Sequence, residues 1–406
     1  MGLGELLRPG DTVLVGTGTG EPVDLIEALI AASPSVYGLR AIQVMTGGRE
    51  KLADAAGRSL SLMSPVPGQK TRKAINEGRA ELITLPMSGL LDAILNGTMR
   101  IDGVLMQGRA IDAHRATPGL IADIMVPAWE RARFRALELN ASLPRIGCAS
   151  ELKIAHADLV VHSDRPPNEL PEDEASAAAL SIGNLVAAIV ADGATIELGV
   201  GRALAGITSA LIEQRRNLAM HTGIVGDAAM RLIEAGCVTR PLLGKACAIG
   251  ATAMGTQAFY AWADGNEHIA LTDSRRAHNS DYLARWPGFT AINSAIQVDL
   301  QGNANATMHS GRLVSGPGGA GDFSNAGVRG AASIVAIFST NRYGASNIVA
   351  TAQAVSVPGH FITHVVTEHG VANLRELSPL KRSRELIAIA APEHRQELAR
   401  AACITL

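Results

Sequence analysis

Residues 316–323 read Gly-Pro-Gly-Gly-Ala-Gly-Asp-Phe, and Gly316, Gly318, Gly319 and Gly321 put four glycines into six positions. A residue without a Cβ lets the backbone come close to a ligand and take φ > 0. Bare N–H groups in such a run can point at a developing negative charge, as in an oxyanion hole. A turn-rich loop is the simpler reading of the same glycines, so the surrounding chain has to decide. Other chemistries are absent from the sequence. His, Cys and Asp do not recur at metal-ligand spacing, so no metal is expected. There is no Gly-x-Ser-x-Gly elbow and no P-loop. Cys148, Cys237, Cys247 and Cys403 are scattered without C-x-x-C spacing, which predicts reduced, buried thiols and a cytoplasmic setting.

At 406 residues the chain can hold two domains of ordinary size. Hydrophobic residues make up 47% and charged residues 18%, the balance of a folded soluble protein. Aromatics are only 3%, so the core has to be built from Ala, Val, Leu and Ile. A net charge of −2 gives no basic field for nucleic acid. The first ten residues lack a cationic start followed by an apolar core, so no signal peptide is expected. No apolar run reaches the roughly 18 residues a membrane span needs, so no membrane partner is expected.

The glycine loop must be carried by a scaffold, and a faint internal repeat shows its kind. Arg8-Pro-Gly-Asp-Thr-Val-Leu-Val-Gly16-Thr-Gly18 is followed by helical spacing at Leu25, Ala28 and Leu29. Ala191-Asp-Gly-Ala-Thr-Ile-Glu-Leu-Gly199-Val-Gly201 is followed by helical spacing at Ile207, Ala210 and Leu211. Each copy is a short strand, a G-x-G turn and a helix, the start of an open parallel sheet with a ligand crevice at the strand's carboxyl end. Neither copy completes G-x-G-x-x-G, so a dinucleotide site is rejected. Residues 163–174 carry three prolines and several acids and read as a linker. Helical spacing returns over 175–191, and apolar strands are predicted at 157–162, 333–338 and 361–366. The expectation is an α/β protein of two related halves, 1–170 and 175–406.

Several segments together resemble the acetyl-CoA hydrolase/transferase family, the 4-hydroxybutyrate and succinyl-CoA:acetate CoA-transferases. They are Ala291-Ile-Asn-Ser-Ala-Ile-Gln-Val-Asp-Leu-Gln-Gly302-Asn, the 316–323 loop, and Val365-Val-Thr-Glu-His-Gly-Val-Ala-Asn-Leu-Arg375. Gly193-Ala-Thr-Ile-Glu-Leu-Gly-Val-Gly201 and His162-Ser-Asp-Arg-Pro166 also match, in order, over about 140–395. The resemblance implies two Rossmann-like CoA-transferase domains with open, mainly parallel sheets and the active site between them. It implies a coenzyme A thioester as substrate, no permanently bound cofactor, and a homo-oligomer, dimer or tetramer. It also implies a glutamate that attacks the thioester and becomes in turn an acyl anhydride and a CoA thioester. Oxyanion donors carry over to Gly318 and Gly319, with Gly316, Gly321 and Gly370 as further CoA-contacting glycines. A family asparagine at the thioester carbonyl carries over to Asn279.

The nucleophile itself does not carry over. The family's His-Thr-Glu stretch reads here His221-Thr222-Gly223, and no glutamate lies between Glu213 and Glu234. An arginine usual after Asp-Phe-x is Asn325, and a glycine usual after the last Leu-Arg is Glu376. Three residues are candidates to act instead. His221 is a potential base on the same strand face as Gly223, or a buried strand histidine. Glu197, where many relatives have Gln, could activate water from a strand's carboxyl end, or serve as a capping acid. His278 stands beside Asn279. Glu368 reads as a residue that positions its own loop. The expected function is acyl thioester processing without a glutamyl intermediate: hydrolysis most simply, or decarboxylation, cyclisation or acyl transfer to something other than a carboxylate. An ordinary acyl-CoA:carboxylate CoA-transferase and an inactive CoA-binding subunit are the alternatives.

Overall fold

The structure, a computed structural model, describes residues 2–45, 48–171 and 174–405. Its contacts divide the chain into two units. The first comprises Met1–Pro171, Ile224–Asp227 and Leu243–Ala277; the second comprises Glu172–Gly223, Ala228–Leu242 and His278–Leu406. The expected linker coincides with the division after Pro171, and two later segments group with the first unit.

The first unit is built on parallel strands in the order Leu159–Ser163, Phe134–Asn140, Gly103–Ala110, Thr12–Val15, Arg40–Gln43, Ser61–Ser64 and Ala80–Leu82. Thr12–Val15, the strand of the first G-x-G, is fully buried, and so reads as an unbroken apolar run rather than an alternation. Ala248–Ala253, Ile269–Leu271 and Gly147–Cys148 form a further parallel set in this unit.

In the second unit the elements that matter are α1 (Ala177–Ile189), β1 (Thr195–Leu198), α2 (Leu204–Gln214), β2 (Ala219–Val225), α3 (Ser280–Leu283), β3 (Thr290–Asn293), α4 (Ala320–Arg329), β4 (Ala332–Ala336), β5 (His364–Thr367) and β6 (Gly370–Asn373). The strand order is β6-β5-β4-β3-β1-β2. All neighbours are parallel except the β5–β6 hairpin. β1 therefore lies between β3 and β2, as Thr12–Val15 lies between Gly103–Ala110 and Arg40–Gln43. The two halves share one topology around their G-x-G strands, and the faint repeat was its trace. In such a sheet the chain reverses its winding at this strand, which opens a crevice at the carboxyl ends of β1 and β3.

Local sequence explains the elements. The Ser176 hydroxyl accepts the Ala179 N–H at 3.2 Å and caps α1. α2 buries Ile207, Ala210 and Leu211 on one stripe. The helices α1 and α2 touch backbone to backbone: a Cβ at Gly183 would lie 2.2 Å from the Gly206 carbonyl oxygen, and one at Gly206 would lie 2.1 Å from that of Ala179. The predicted strand at 361–366 starts later, at His364, because Gly359–Phe361 closes a 3₁₀ turn. Cys237 and Cys247 are buried as expected, Cys148 is half-buried, and Cys403 is exposed beyond the last helix. Among the described residues no helix is long and apolar enough to cross a membrane.

Glu376 follows β6 with φ of 53°. The position at which the resemblance implies glycine thus keeps a left-handed backbone while carrying a side chain. That conformation costs a non-glycine residue about 1–2 kcal/mol. Glycine would raise the entropy of the unfolded chain, which takes back about 0.5–1 kcal/mol. Glu376→Gly is therefore expected to raise stability by up to about 1 kcal/mol, read from the urea midpoint; a clear loss would mean that the Glu376 side chain matters more than its backbone.

Candidate active site

Parallel register fixes which side chains share a face of the second sheet. Thr195 pairs with Ala219 and Ile196 with Met220, which sets Glu197 level with His221, while on the other side Glu197 pairs with Ala291. Partners in a parallel ladder project to the same side, and so do residues two positions on. Glu197, His221, Gly223, Ala291 and Asn293 therefore share one face. Ala291 belongs to an apolar cluster with Leu283, Phe289, Phe323 and Ala326, so this is the face covered by α3 and α4. Thr222 projects the other way, its hydroxyl donating to the Leu198 carbonyl at 3.0 Å.

The glycine loop leads into α4. Gly318 has φ of 56°, a conformation that favours glycine, and Gly319 is the N-cap. The first turn of a helix has N–H groups without intrahelical acceptors and carries the positive end of the dipole. Gly316 is buried just ahead of this turn, and Gly321 lies within it. Gly319 is also a point of close approach. A Cβ there would stand 2.7 Å from Cδ2 and 2.8 Å from Nε2 of His278, and 3.0 Å from the Phe323 ring. Gly319→Ala should push the imidazole aside and cost about 1–3 kcal/mol of stability as an overpacked contact, measurable by urea unfolding; unchanged stability would show that the ring moves freely.

His278 is the unexpected centre of the arrangement. It is 5% exposed, and its ring centroid lies 5.2 Å from that of Phe323. A Cβ built on Gly223 would lie 3.5 Å from Phe323 and 3.9 Å from His278 Nε2, which is ordinary contact. Gly223, His278, Gly319 and Phe323 thus meet in one place. Burial pushes the His278 imidazole down to about 4, so the ring is neutral at pH 7.

The other candidates fall elsewhere. His221 is fully buried beside aromatic rings, its centroid 5.7 Å from Tyr282, edge to face, and 6.4 Å from Trp286. That setting suits a packed strand histidine. Asn279 is exposed, and its Oδ1 accepts the Tyr282 N–H at 3.0 Å, so it caps α3. Gly370 pairs with Thr367 across the β5–β6 hairpin. In that turn the Glu368 carboxylate accepts the Ser339 N–H at 2.9 Å and hydroxyl at 2.7 Å, tying down a neighbouring loop.

Glu197, the candidate to activate water, lies buried on β1. It is 1% exposed, and its Oε2 accepts from Asn293 Nδ2 at 2.7 Å. Burial, only partly opposed by the Asn293 and Ile292 hydrogen bonds, pushes its carboxyl up to about 8. Burial thus favours its neutral form over the carboxylate. Asn293, which sequence reasoning missed, lines a narrow crevice of only about 10 Å³ at the carboxyl ends of β1 and β3, with Gly199, Gly201, Leu204, Ile292 and Ser294. Its one signal was its place in a strand two residues after Ala291. Among the described residues no group of His, Cys, Asp and Glu could hold a metal ion.

The open parallel sheet with a glycine-led helix packed on it is an α/β architecture of the CoA-transferase fold. Residues 255–402 match the acetyl-CoA hydrolase/transferase C-terminal domain. The chain is 28% identical over 396 residues to a 4-hydroxybutyrate coenzyme A transferase of Clostridium kluyveri, covering 95% of this chain and 92% of that one. Its fold is that of RipA from Yersinia pestis, with TM-score 0.89, 24% identity, and 98% and 94% of the two chains covered. It is also that of a 4-hydroxybutyrate CoA-transferase from Porphyromonas gingivalis, with TM-score 0.81, 23% identity, and 98% and 94% covered. Residues 255–402 thus match the family's C-terminal domain, and the chain along its length is similar to CoA-transferases.

Proposed function

We propose that this protein processes an acyl-CoA, or a related acyl thioester, without a glutamyl-enzyme intermediate, and that hydrolysis is its simplest reaction. The observation that carries this reading is the pairing of Gly223 with His278. The strand position that supplies a carboxylate in the resemblance has no side chain here, and a neutral imidazole nitrogen stands 3.9 Å from where its Cβ would be.

The chemistry then runs through water. A water oxygen attacks the thioester carbonyl carbon while His278 accepts its proton. The negative charge that forms on the carbonyl oxygen is met by N–H groups of the loop and the first turn of α4, with Gly318 and Gly319 giving the backbone its close approach. The C–S bond then breaks, and the departing thiolate recovers the proton from the imidazolium. An imidazole held near pKa 4 is a weak base at rest. The oxyanion that develops beside it stabilises the imidazolium, so its basicity rises as the transition state is approached. Decarboxylation, cyclisation and acyl transfer to another nucleophile would use the same oxyanion donors.

Ordinary CoA transfer is the second reading, favoured by the extent of the match to the Clostridium kluyveri transferase. The assay that separates the readings mixes acetyl-, butyryl-, succinyl- or 4-hydroxybutyryl-CoA with a carboxylate acceptor: acetate for the last three, propionate for acetyl-CoA. Free thiol and the acceptor's CoA ester are both followed. Thiol release without that new ester is expected. Robust ping-pong transfer would sink the proposal. Saturable CoA binding with no turnover would point to an inactive CoA-binding subunit.

A further inference from the structure

We propose that Glu197 works as a neutral carboxylic acid that fixes the amide of Asn293 at the crevice, and that its ionisation disables the site. The inference rests on the reading just given and concerns a positioning residue, since Glu197 acts through Asn293. Three observations carry it. First, the carboxyl group sits at the switch point, on the strand between β3 and β2, yet is 1% exposed. Second, its side-chain partner is an amide: Asn293 Nδ2 donates to Oε2 at 2.7 Å, and among the described residues Glu197 makes no ion pair. Third, the other end of that amide is pinned against the G-x-G turn, because a Cβ at Gly199 would lie 2.5 Å from Asn293 Oδ1. The orientation of Asn293 in the crevice wall is thus set by Glu197 on one side and the Gly199 backbone on the other.

Burial favours the acid form, and among the described residues no charged group is paired with it. His221 stands level with Glu197 on β2, and Arg240 reaches the same strand earlier, donating to the Thr195 hydroxyl. His278 lies ahead of α3, and the buried Asp322 lies in the first turn of α4. Arg202, before α2, stacks on Phe338 at 4.8 Å. β3 contributes no charge beside it, only the Asn293 amide and the Ile292 backbone hydrogen bond. A protonated carboxyl still accepts the Asn293 amide N–H through its carbonyl oxygen while carrying no charge. A carboxylate is an acceptor only, and an unpaired charge in a dry site draws water or moves its neighbours. Burial raises the carboxyl to about 8, in keeping with this geometry.

The test compares wild type with Glu197→Gln, which keeps the shape and neutrality of the acid. The unfolded glutamate ionises near 4.5 and the folded one near 8, so wild-type stability is full below 4.5 and declines until 8. The ratio of unfolding constants, wild type over Glu197→Gln, should rise about tenfold per pH unit between about 5 and 8 and level off above. Thioester turnover by wild type should fall above about pH 8, while Glu197→Gln stays within about threefold of wild type at pH 7 and shows no such fall. Asn293→Ala should lower turnover without an alkaline limb. A pH-independent unfolding ratio would overturn the proposal, as would a loss of about 10³-fold at pH 7 in Glu197→Gln, the mark of a nucleophile or base. The stability measurement needs no turnover. A protein that hydrolyses no thioester would sink the proposed function and leave the charge of Glu197 to be decided by the unfolding ratio.

Discussion

His278→Ala is expected to lower thioester turnover by about 10²–10⁴-fold, the usual worth of a positioned general base. The ring touches both halves of the site, with Gly319 on one side and the Gly223 position on the other. Removing it leaves the oxyanion donors in place but nothing to orient or deprotonate water. The loss should fall on kcat more than on KM, because the group acts in the transition state. His278→Gln, which keeps polar atoms near the same place, should recover part of it. The pH profile gives an independent check. Burial holds the ring neutral down to about 4, so turnover should persist through pH 5 and fail only below about 4, not near the ordinary histidine value. An acid limb near pH 6.5, or full activity in His278→Ala, would remove His278 from the mechanism.

Gly223→Glu is expected to turn the protein toward CoA transfer. A Cβ at this position makes only ordinary contacts with Phe323 and His278, so the side chain can begin without displacing either. Its carboxylate would emerge beside the glycine loop, where the resemblance puts the nucleophile. Acetyl-CoA formation from butyryl- or succinyl-CoA and acetate should appear with ping-pong kinetics, at least about tenfold above wild type. Burying a new carboxyl group should destabilise the fold by about 1–3 kcal/mol, which unfolding in urea would register. A folded variant with no transfer would mean that the pocket has been rebuilt for substrates of another kind.

The sequence disclosed the scaffold better than the site. The two G-x-G strands are buried β runs followed by amphipathic helices, and that local pattern survived in both halves. The glycine loop was also legible, because glycines at a helix start report a backbone demand made within a few residues. The glycine of His221-Thr222-Gly223, where the resemblance implies a glutamate, could be read without a structure. The partners of Gly223 were hidden because they come from far along the chain: His278 reaches it only through the packing of α3 and α4 on the sheet. Glu197 showed its type but not its charge, since burial and the Asn293 amide arise from the register of β1 against β3. Asn279 looked like a carbonyl-binding group by its place in the order of motifs, yet it begins a short helix, and its side chain caps it. His221 shares the face of Gly223 as alternation implied, but Tyr282 and Trp286 lie against it. Gly370 serves a hairpin, a role that a glycine after Glu-His could equally have been assigned.

Absence of a glutamyl intermediate is the central claim, and isotope tracing tests it most directly. The enzyme is mixed with a substoichiometric acyl-CoA that it turns over, in ¹⁸O-water, for a single turnover, and both product acid and intact protein are weighed by mass spectrometry. Direct attack by water predicts one ¹⁸O in the released acid and a protein of unchanged mass, with no acyl or CoA adduct during turnover. A CoA or acyl adduct on any glutamate, or ¹⁸O found in a protein carboxyl group, would contradict the account.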